Sequence, residues 1–274
     1  MNRRLAGNAF SRLETIALLG ATVLFVLLVV GPLAGLFVRA PLGQMKQILL
    51  SGEIHNALIL TLHSSLWAVL FSVVLGLPAA VCLARLDFPG KSVLNGLIEL
   101  PIALPPLVLG VALILVWGRQ GILGHYLAQA GYPLSFTFAA VVIAQFVVAS
   151  PFFVRIAKTA LEQVPRSLEE ASATLGRSTF MTYLLVTLPL AGRGLLSAAL
   201  TAWARALGEF GATVLFAGSF PGRTQTAPLT IFSLMQANIN GAVALALVMV
   251  LLSIVAFVLA QMAVRRMGIV GGPA

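Results

Sequence analysis

Two groups of charged residues could do chemistry in a sequence that has few charges. Arg205 and Glu209 lie four residues apart in the apolar run Trp203-Ala204-Arg205-Ala206-Leu207-Gly208-Glu209-Phe210-Gly211-Ala212-Thr213. On a helix that spacing puts both on one face, where they can pair. A charge at the centre of a bilayer costs about 2.5–3.5 kcal/mol on insertion scales, so such groups face a pathway or each other. Two readings follow. Arg205 can flank the route of an anionic substrate, with Glu209 setting its orientation, or the pair can be an internally neutralised clamp. Gly208 and Gly211 let another helix approach closely or let this one bend. The second group is Glu162, Glu169 and Glu170, three of the chain's eight acids, all within residues 161–175.

Other constellations remove possibilities. Gly90-Lys91-Ser92 resembles the end of a phosphate-binding loop, but G-x-x-x-x-G-K-[ST] requires glycine where Arg85 stands, so the chain is not expected to bind or hydrolyse ATP itself. His55, His63 and His125 are scattered without a carboxylate pattern, which argues against a metal site. Cys82 is the sole cysteine, so no intrachain disulfide can form. No G-x-S-x-G, H-E-x-x-H or paired intramembrane Asp supplies a membrane hydrolase with its nucleophile. His63, Thr61, Ser64 and Ser65 are expected on a polar helix face that hydrogen-bonds to neighbouring helices. Glu99 is expected near the inner membrane surface beside a basic partner.

Composition dictates the elements that position these groups. Of 274 residues, 59% are hydrophobic and 9% are Asp, Glu, Lys or Arg, against roughly 25% charged in soluble domains. A membrane protein is implied, and a water-soluble enzyme or a disordered chain is excluded. Six runs reach the roughly 20 apolar residues that a helix needs to cross hydrocarbon. They are residues 16–38, 58–83, 94–117, 136–156, 190–216 and 243–264. The runs are continuous rather than alternating, so they read as helices and not barrel strands. The first is too long for a signal peptide and is expected to be retained. Pro101, Pro105 and Pro106 should bend or break the third. The expectation is one all-α, polytopic membrane domain over residues 1–274, with about six transmembrane helices. Membrane lipid is its first partner.

The net charge of +9 sorts by side. With the N-terminus inside, Arg3, Arg4, Arg12, Arg85, Lys91, Arg155, Lys158, Arg166, Arg177, Arg193, Arg265 and Arg266 fall on the cytoplasmic side. Arg39, Lys46, Arg119 and Arg223 fall outside. The excess of inner basic residues places both termini in the cytoplasm. It also accounts for the positive charge without a nucleic-acid partner. The long inner loop is then 157–189 and the long outer one 217–241.

Within the inner loop, Pro165 and Ser167 suit a helix start, acids follow in the first turn, and Gly176 suits the stop. Leu168, Ala171 and Leu175 form one apolar stripe at i, i+3, i+7. Such a helix can lie on the membrane surface and present its other face to a partner.

Glu170-Ala171-Ser172, three residues, Gly176, nine residues, Val186, one residue and Leu188-Pro189 resemble the EAA signature of ABC importer permeases, E-A-A-x3-G-x9-I-x-L-P. Ser172 for Ala and Val186 for Ile are the departures. The resemblance implies a type I ABC importer permease-like fold. It further implies a coupling segment, through Glu169, Glu170 and Ala171, that sits in a cleft of a separate ATPase subunit, with Gly176 turning between two short helices. Arg205-Ala206-Leu207-Gly208-Glu209-Phe210-Gly211-Ala212-Thr213, then Ala217-Gly218 and Pro221-Gly222-x-Thr224-x-Thr226-x-Pro228-Leu229, resemble the molybdate and sulfate permeases. Leu104-Pro105-Pro106-x-Val108-x-Gly110 and Gly118-Arg119-Gln120-Gly121-x-Leu123-Gly124 look closer to the molybdate members.

The resemblance spans roughly residues 56–265. It implies a permease in a bacterial or archaeal cytoplasmic membrane that imports an oxyanion, molybdate before tungstate or sulfate, by alternating access. Two copies would form the pathway, with Arg205, Glu209 and Thr213 as its candidate residues. Two ATPase subunits and an extracytoplasmic binding protein would be partners, and ATP would be used by the ATPase, with no cofactor bound by this chain. The alternative from another class is an ion-gradient-driven transporter, for which Glu209 is the one well-placed coupling acid.

Overall fold

A computed structural model describes residues 12–43 and 45–266; the predicted inner residues Arg3 and Arg4 lie outside them. The helices are α1 (Arg12–Val38), α2 (Met45–Leu49), α3 (Gly52–Arg85), α4 (Lys91–Ala103), α5 (Pro106–Trp117), α6 (Gly124–Gln129), α7 (Phe138–Glu162), α8 (Arg166–Thr174), α9 (Thr179–Thr182), α10 (Leu188–Leu207), α11 (Gly211–Phe216), α12 (Ala227–Ala237) and α13 (Ile239–Arg266). A π-helical turn over Tyr183–Thr187 joins α9 to α10 without a gap. Among the described residues there is no β-strand.

The expected spans are only partly continuous. Four helices are long and apolar enough to cross a membrane: Glu14–Val38, Gly52–Arg85, Phe138–Glu162 and Thr179–Leu207. The third expected span is broken, as expected of its prolines, into two helices, α4 and α5, which meet at 114°. The cause is Pro105-Pro106. Neither residue has an N–H to donate, and each forces the residue before it into extended backbone. Leu104 and Pro105 accordingly have ψ of 141° and 135°, while Pro106 starts α5. Pro101 stays inside α4. The fifth expected span ends at Leu207, and α11 is a separate short helix. The sixth falls within α13, of which Ile239–Val255 is a shorter apolar helix.

Helix α7 is the centre of the bundle. Val142, Ala149, Phe153, Val154, Ala157 and Leu161 pack against Ala68, Ala80, Leu83 and Ala84 of α3 and against Ala191, Ala198, Ala202 and Ala206 of α10. Ala140, Val141, Ala144 and Val148 meet Leu109 and Leu113 of α5 and Ala212 and Phe216 of α11. A third cluster joins Ile54 to Ala227, Leu234, Ala242 and Leu245. In lipid no hydrophobic force drives helices together, so close approach over small side chains supplies the packing energy. By contrast, α1 buries none of its apolar stretch within this chain.

The close approach predicts a sharp contrast between two glycines of α10. A Cβ at Gly194 would collide with Ala160 of α7, whereas Gly192 faces open space. Gly194→Val is expected to cost about 1–3 kcal/mol through overpacking. Gly192→Val should stay within about 0.5 kcal/mol. Unfolding midpoints of the two variants in detergent compare them directly.

Candidate functional site

The inner loop folds as a short helix held firmly from beneath. Pro165 is the N-cap of α8, and Glu169 lies in its first turn. Gly176 follows the helix with φ of +78°, which glycine adopts without steric cost. The N–H groups of Gly176 and Arg177 bond to the carbonyls of Ala173 (2.9 Å) and Ser172 (3.3 Å), closing the helix end. The chain then turns into α9, whose N-cap Ser178 accepts from Met181 N at 3.3 Å. Ser172 is buried, and its hydroxyl lies 2.9 Å from that of Thr182, joining α8 to α9.

Glu169 points inward as well. Its Oε1 is 2.8 Å from the Arg85 guanidinium at the end of α3 and accepts from Thr187 Oγ1, also at 2.8 Å. Arg85 donates further to the Val164 carbonyl at 3.0 Å. These bonds set the helix azimuth. Glu169 and Ser172 face the bundle, so the stripe of Leu168, Ala171 and Leu175 faces out, together with Glu170. The sequence reading allowed this stripe to lie on the membrane. It faces outward because the polar side has better partners underneath. A cleft of about 250 Å³, lined by Arg85, Arg166, Glu169, Glu170, Thr179 and Tyr183 among others, opens beside α8.

At the other end of α10, Arg205 and Glu209 pair at 2.9 Å. They do not share one continuous helix. The helix ends at Gly208, and Glu209 sits in the break before α11. There its Oε1 accepts from Ala212 N at 2.8 Å and so satisfies a free donor at the start of α11. Glu209 is 1% exposed, whereas the Arg205 side chain keeps 28%. The carboxylate is therefore the buried half of the pair, and the guanidinium is the half that keeps an exposed face. Thr213, one turn along α11, is fully buried and its hydroxyl finds no partner among the described residues.

The two breaks meet. A Cβ at Gly211 would come within 2.9 Å of Pro106 Cβ, and one at Gly110 within 3.0 Å of Ala212 Cα. The backbone that interrupts the third expected span thus packs on the backbone that interrupts the fifth. Glycine spacing hinted at this, but the sequence did not show that the two interruptions are neighbours.

The remaining candidates fall into place as structural residues. Lys91 bonds Asp87 at 3.1 Å, and that bond and charge hold the Asp87 carboxyl below its ordinary range. Glu99 is reached through a relay rather than by direct pairing: Lys158 donates to Asn95 Oδ1 at 2.9 Å, and Asn95 Nδ2 donates to Glu99 at 3.0 Å. His63 accepts from Trp67 Nε1 at 3.3 Å. Ser65 takes Trp203 Nε1 at 3.0 Å, and Thr61 takes Ala227 N at 2.7 Å, which ties α3 to α10 and α12 as expected for a polar helix face. Among the described residues no three His, Cys, Asp or Glu groups converge as a metal site. Sequence reasoning missed Arg85, Thr187 and Thr182 as partners of α8. Arg85 had carried only a general signal, an inner basic residue at a span end.

Comparison with known proteins agrees with this architecture. Residues 72–269 match the family of binding-protein-dependent transport system inner membrane components. The chain is 34% identical over 265 residues to a probable transport system permease protein NifC of Clostridium pasteurianum, covering 94% of this chain and 92% of that one. It is 38% identical over 217 residues to the molybdenum transport system permease protein ModB of Haemophilus influenzae, covering 77% and 94%. To the sulfate transport system permease protein CysW of Synechococcus elongatus it is 36% identical over 234 residues, covering 84% and 82%. A bacterial ABC transporter involved in the import of the acidic polysaccharide alginate shares the fold, with a TM-score of 0.75 at 15% identity over 93% of this chain and 96% of that one. The helical bundle, its broken spans and the sequence match over most of the chain lead to one assignment: this protein belongs to the binding-protein-dependent transport system inner membrane components, as a permease subunit of an ABC importer.

Proposed function

We propose that this permease imports a tetrahedral oxyanion, molybdate in the first place, across the cytoplasmic membrane by alternating access, with both termini inside. The observation that carries the mechanism is α8: a short helix fixed from below, with Leu168, Glu170, Ala171 and Leu175 turned outward. A rigid helix transmits a rigid-body displacement, whereas a loose loop absorbs it. Two copies of the chain enclose the path, and a separate ATPase subunit docks on α8 and α9 of each. ATP is hydrolysed there, not on this chain. A binding protein delivers the anion to the outer segments 39–56 and 217–241. Arg205 offers the anion its exposed guanidinium face, while Glu209 and Thr213 shape the backbone behind it. Broken helices that meet near a charged side chain are a common way to line a membrane route.

The likeness to a molybdenum transport permease supports molybdate, and the likeness to a sulfate permease makes sulfate the alternative ion. Proteoliposomes containing the chain, its ATPase and its binding protein test the reading. ATP-dependent uptake of labelled molybdate is expected, displaced by tungstate more effectively than by sulfate. Preferential displacement by sulfate moves the assignment to the alternative. Uptake by the chain alone, driven by a proton gradient, refutes the importer mechanism.

A further inference from the structure

Four ion pairs are seen in the described residues, and one differs in kind. Lys91–Asp87, Lys158–Glu162 and Arg205–Glu209 each join residues four apart in the chain. Arg85–Glu169 instead joins the inner end of α3 to α8. Its side chains are 5% and 18% exposed, so it is shielded from the solvent screening that makes surface pairs weak.

The surroundings of this pair make it a junction. Arg85 also holds the Val164 carbonyl, in the turn after α7. Glu169 also holds Thr187, which is fully buried in the π-helical turn. Such turns are rare and occur often at functional sites. Here the wider turn ends in the bond from Leu188 N to the Tyr183 carbonyl and brings Thr187 to the carboxylate. The inner ends of α3, α7 and α10 are thereby tied to one carboxylate and one guanidinium.

We propose that Arg85 is the positioning residue of the docking helix: through Glu169, Thr187 and the Val164 carbonyl it makes α8 move as one body with α3 and α10. This rests on the docking role of α8 proposed above. The pair's work is transmission rather than folding of α8. That helix keeps its own stop at Gly176 and its Ser172–Thr182 link to α9 when Arg85 is lost. The Glu169 carboxylate, being partly exposed, can then turn to water. The helix remains, but its tie to α3 is gone.

Two measurements test the proposal on the full complex. The first is ATP hydrolysed per oxyanion imported, for Arg85→Gln and for Thr187→Val, a near-isosteric change expected to fold even where Arg85→Gln does not. The ratio is expected to rise about tenfold for Arg85→Gln and about threefold for Thr187→Val, following the loss of a buried charged partner and of one hydrogen bond. A merely structural role would lower hydrolysis and import together, and an unchanged ratio in the variants overturns the proposal. The second uses spin labels at Arg177→Cys, in the turn after α8 and outside its apolar stripe, and at Val74→Cys, in a Cys82→Ala background, both label sites being exposed. Their distance distribution should be narrow in the parent and broaden in either variant; an equally narrow distribution also overturns the clamp. A parent complex that imports no oxyanion refutes the importer reading instead, and the label distances then decide the clamp by themselves.

Discussion

Arg205→Gln is expected to cost about 3 kcal/mol of stability, more than Glu209→Gln, although the two changes remove the same ion pair. The asymmetry follows from burial. Removing Arg205 leaves a carboxylate that is 1% exposed with only the Ala212 N–H to balance it. An uncompensated buried charge of this kind costs about 3–5 kcal/mol. Glu209→Gln removes the charge but keeps an oxygen that can still accept from Ala212 N. The guanidinium it leaves behind is 28% exposed and can be hydrated. That variant should lose about 1.5–2 kcal/mol, the lower end of the range for a hydrogen bond to a charged group. Unfolding in detergent ranks the two, and the reverse order would disprove the clamp. Arg205→Lys separates clamp from pathway. It keeps the charge and should recover much of the stability, but it loses the planar fork suited to an oxyanion. Full recovery of transport along with stability would remove Arg205 from the path.

Glu170→Lys should act in the opposite manner, leaving the fold intact and abolishing coupling. Glu170 is exposed on α8, and its backbone carbonyl, not its side chain, takes the Thr174 hydroxyl at 2.9 Å. Reversal of charge there should shift stability by no more than about 0.5 kcal/mol. Glu170→Lys reverses the charge that the proposed docking surface presents, and mismatched charge across an interface costs several kcal/mol, so ATP-driven import is expected to fall at least about tenfold. The measurement is ATPase activity and uptake in the same vesicles. Wild-type uptake in that variant would dismiss Glu170 from the docking surface.

The residues that sequence reasoning placed well are those whose signal is local. Gly176, with its positive φ, ends a helix that the acids and Pro165 begin, because capping depends on neighbours a few residues away. The same holds for Arg205 and Glu209, whose pairing needed only a spacing of four. Hydropathy measures how apolar a run is and says nothing of its direction. In residues 94–117 the prolines announced the break, and only its angle of 114° was illegible. Residues 190–216 gave a weaker signal, since Gly208 and Gly211 allow a bend but leave the apolar average unchanged, and there the span was drawn through the interruption. Arg85 escaped notice on different grounds. Its partner lies 84 positions away in the chain, a separation visible only once α3 and α7 have packed.

Helix α10 carries one of these groups at each end. Thr187, just before its first residue, is bonded to Glu169 of α8, and Arg205 sits in its last turn. The helix itself is 20 residues long, a stiff rod of about 30 Å. Into the core it sets Ala191, Ala198, Ala202 and Ala206, with Leu188 and Leu195 packed beside them. Contact this close, with no room for a Cβ between Gly194 and Ala160, holds the rod in one register. A displacement applied to α8 is therefore expected to reach the Arg205–Glu209 pair undiminished, as the far end of a beam moves with the near one.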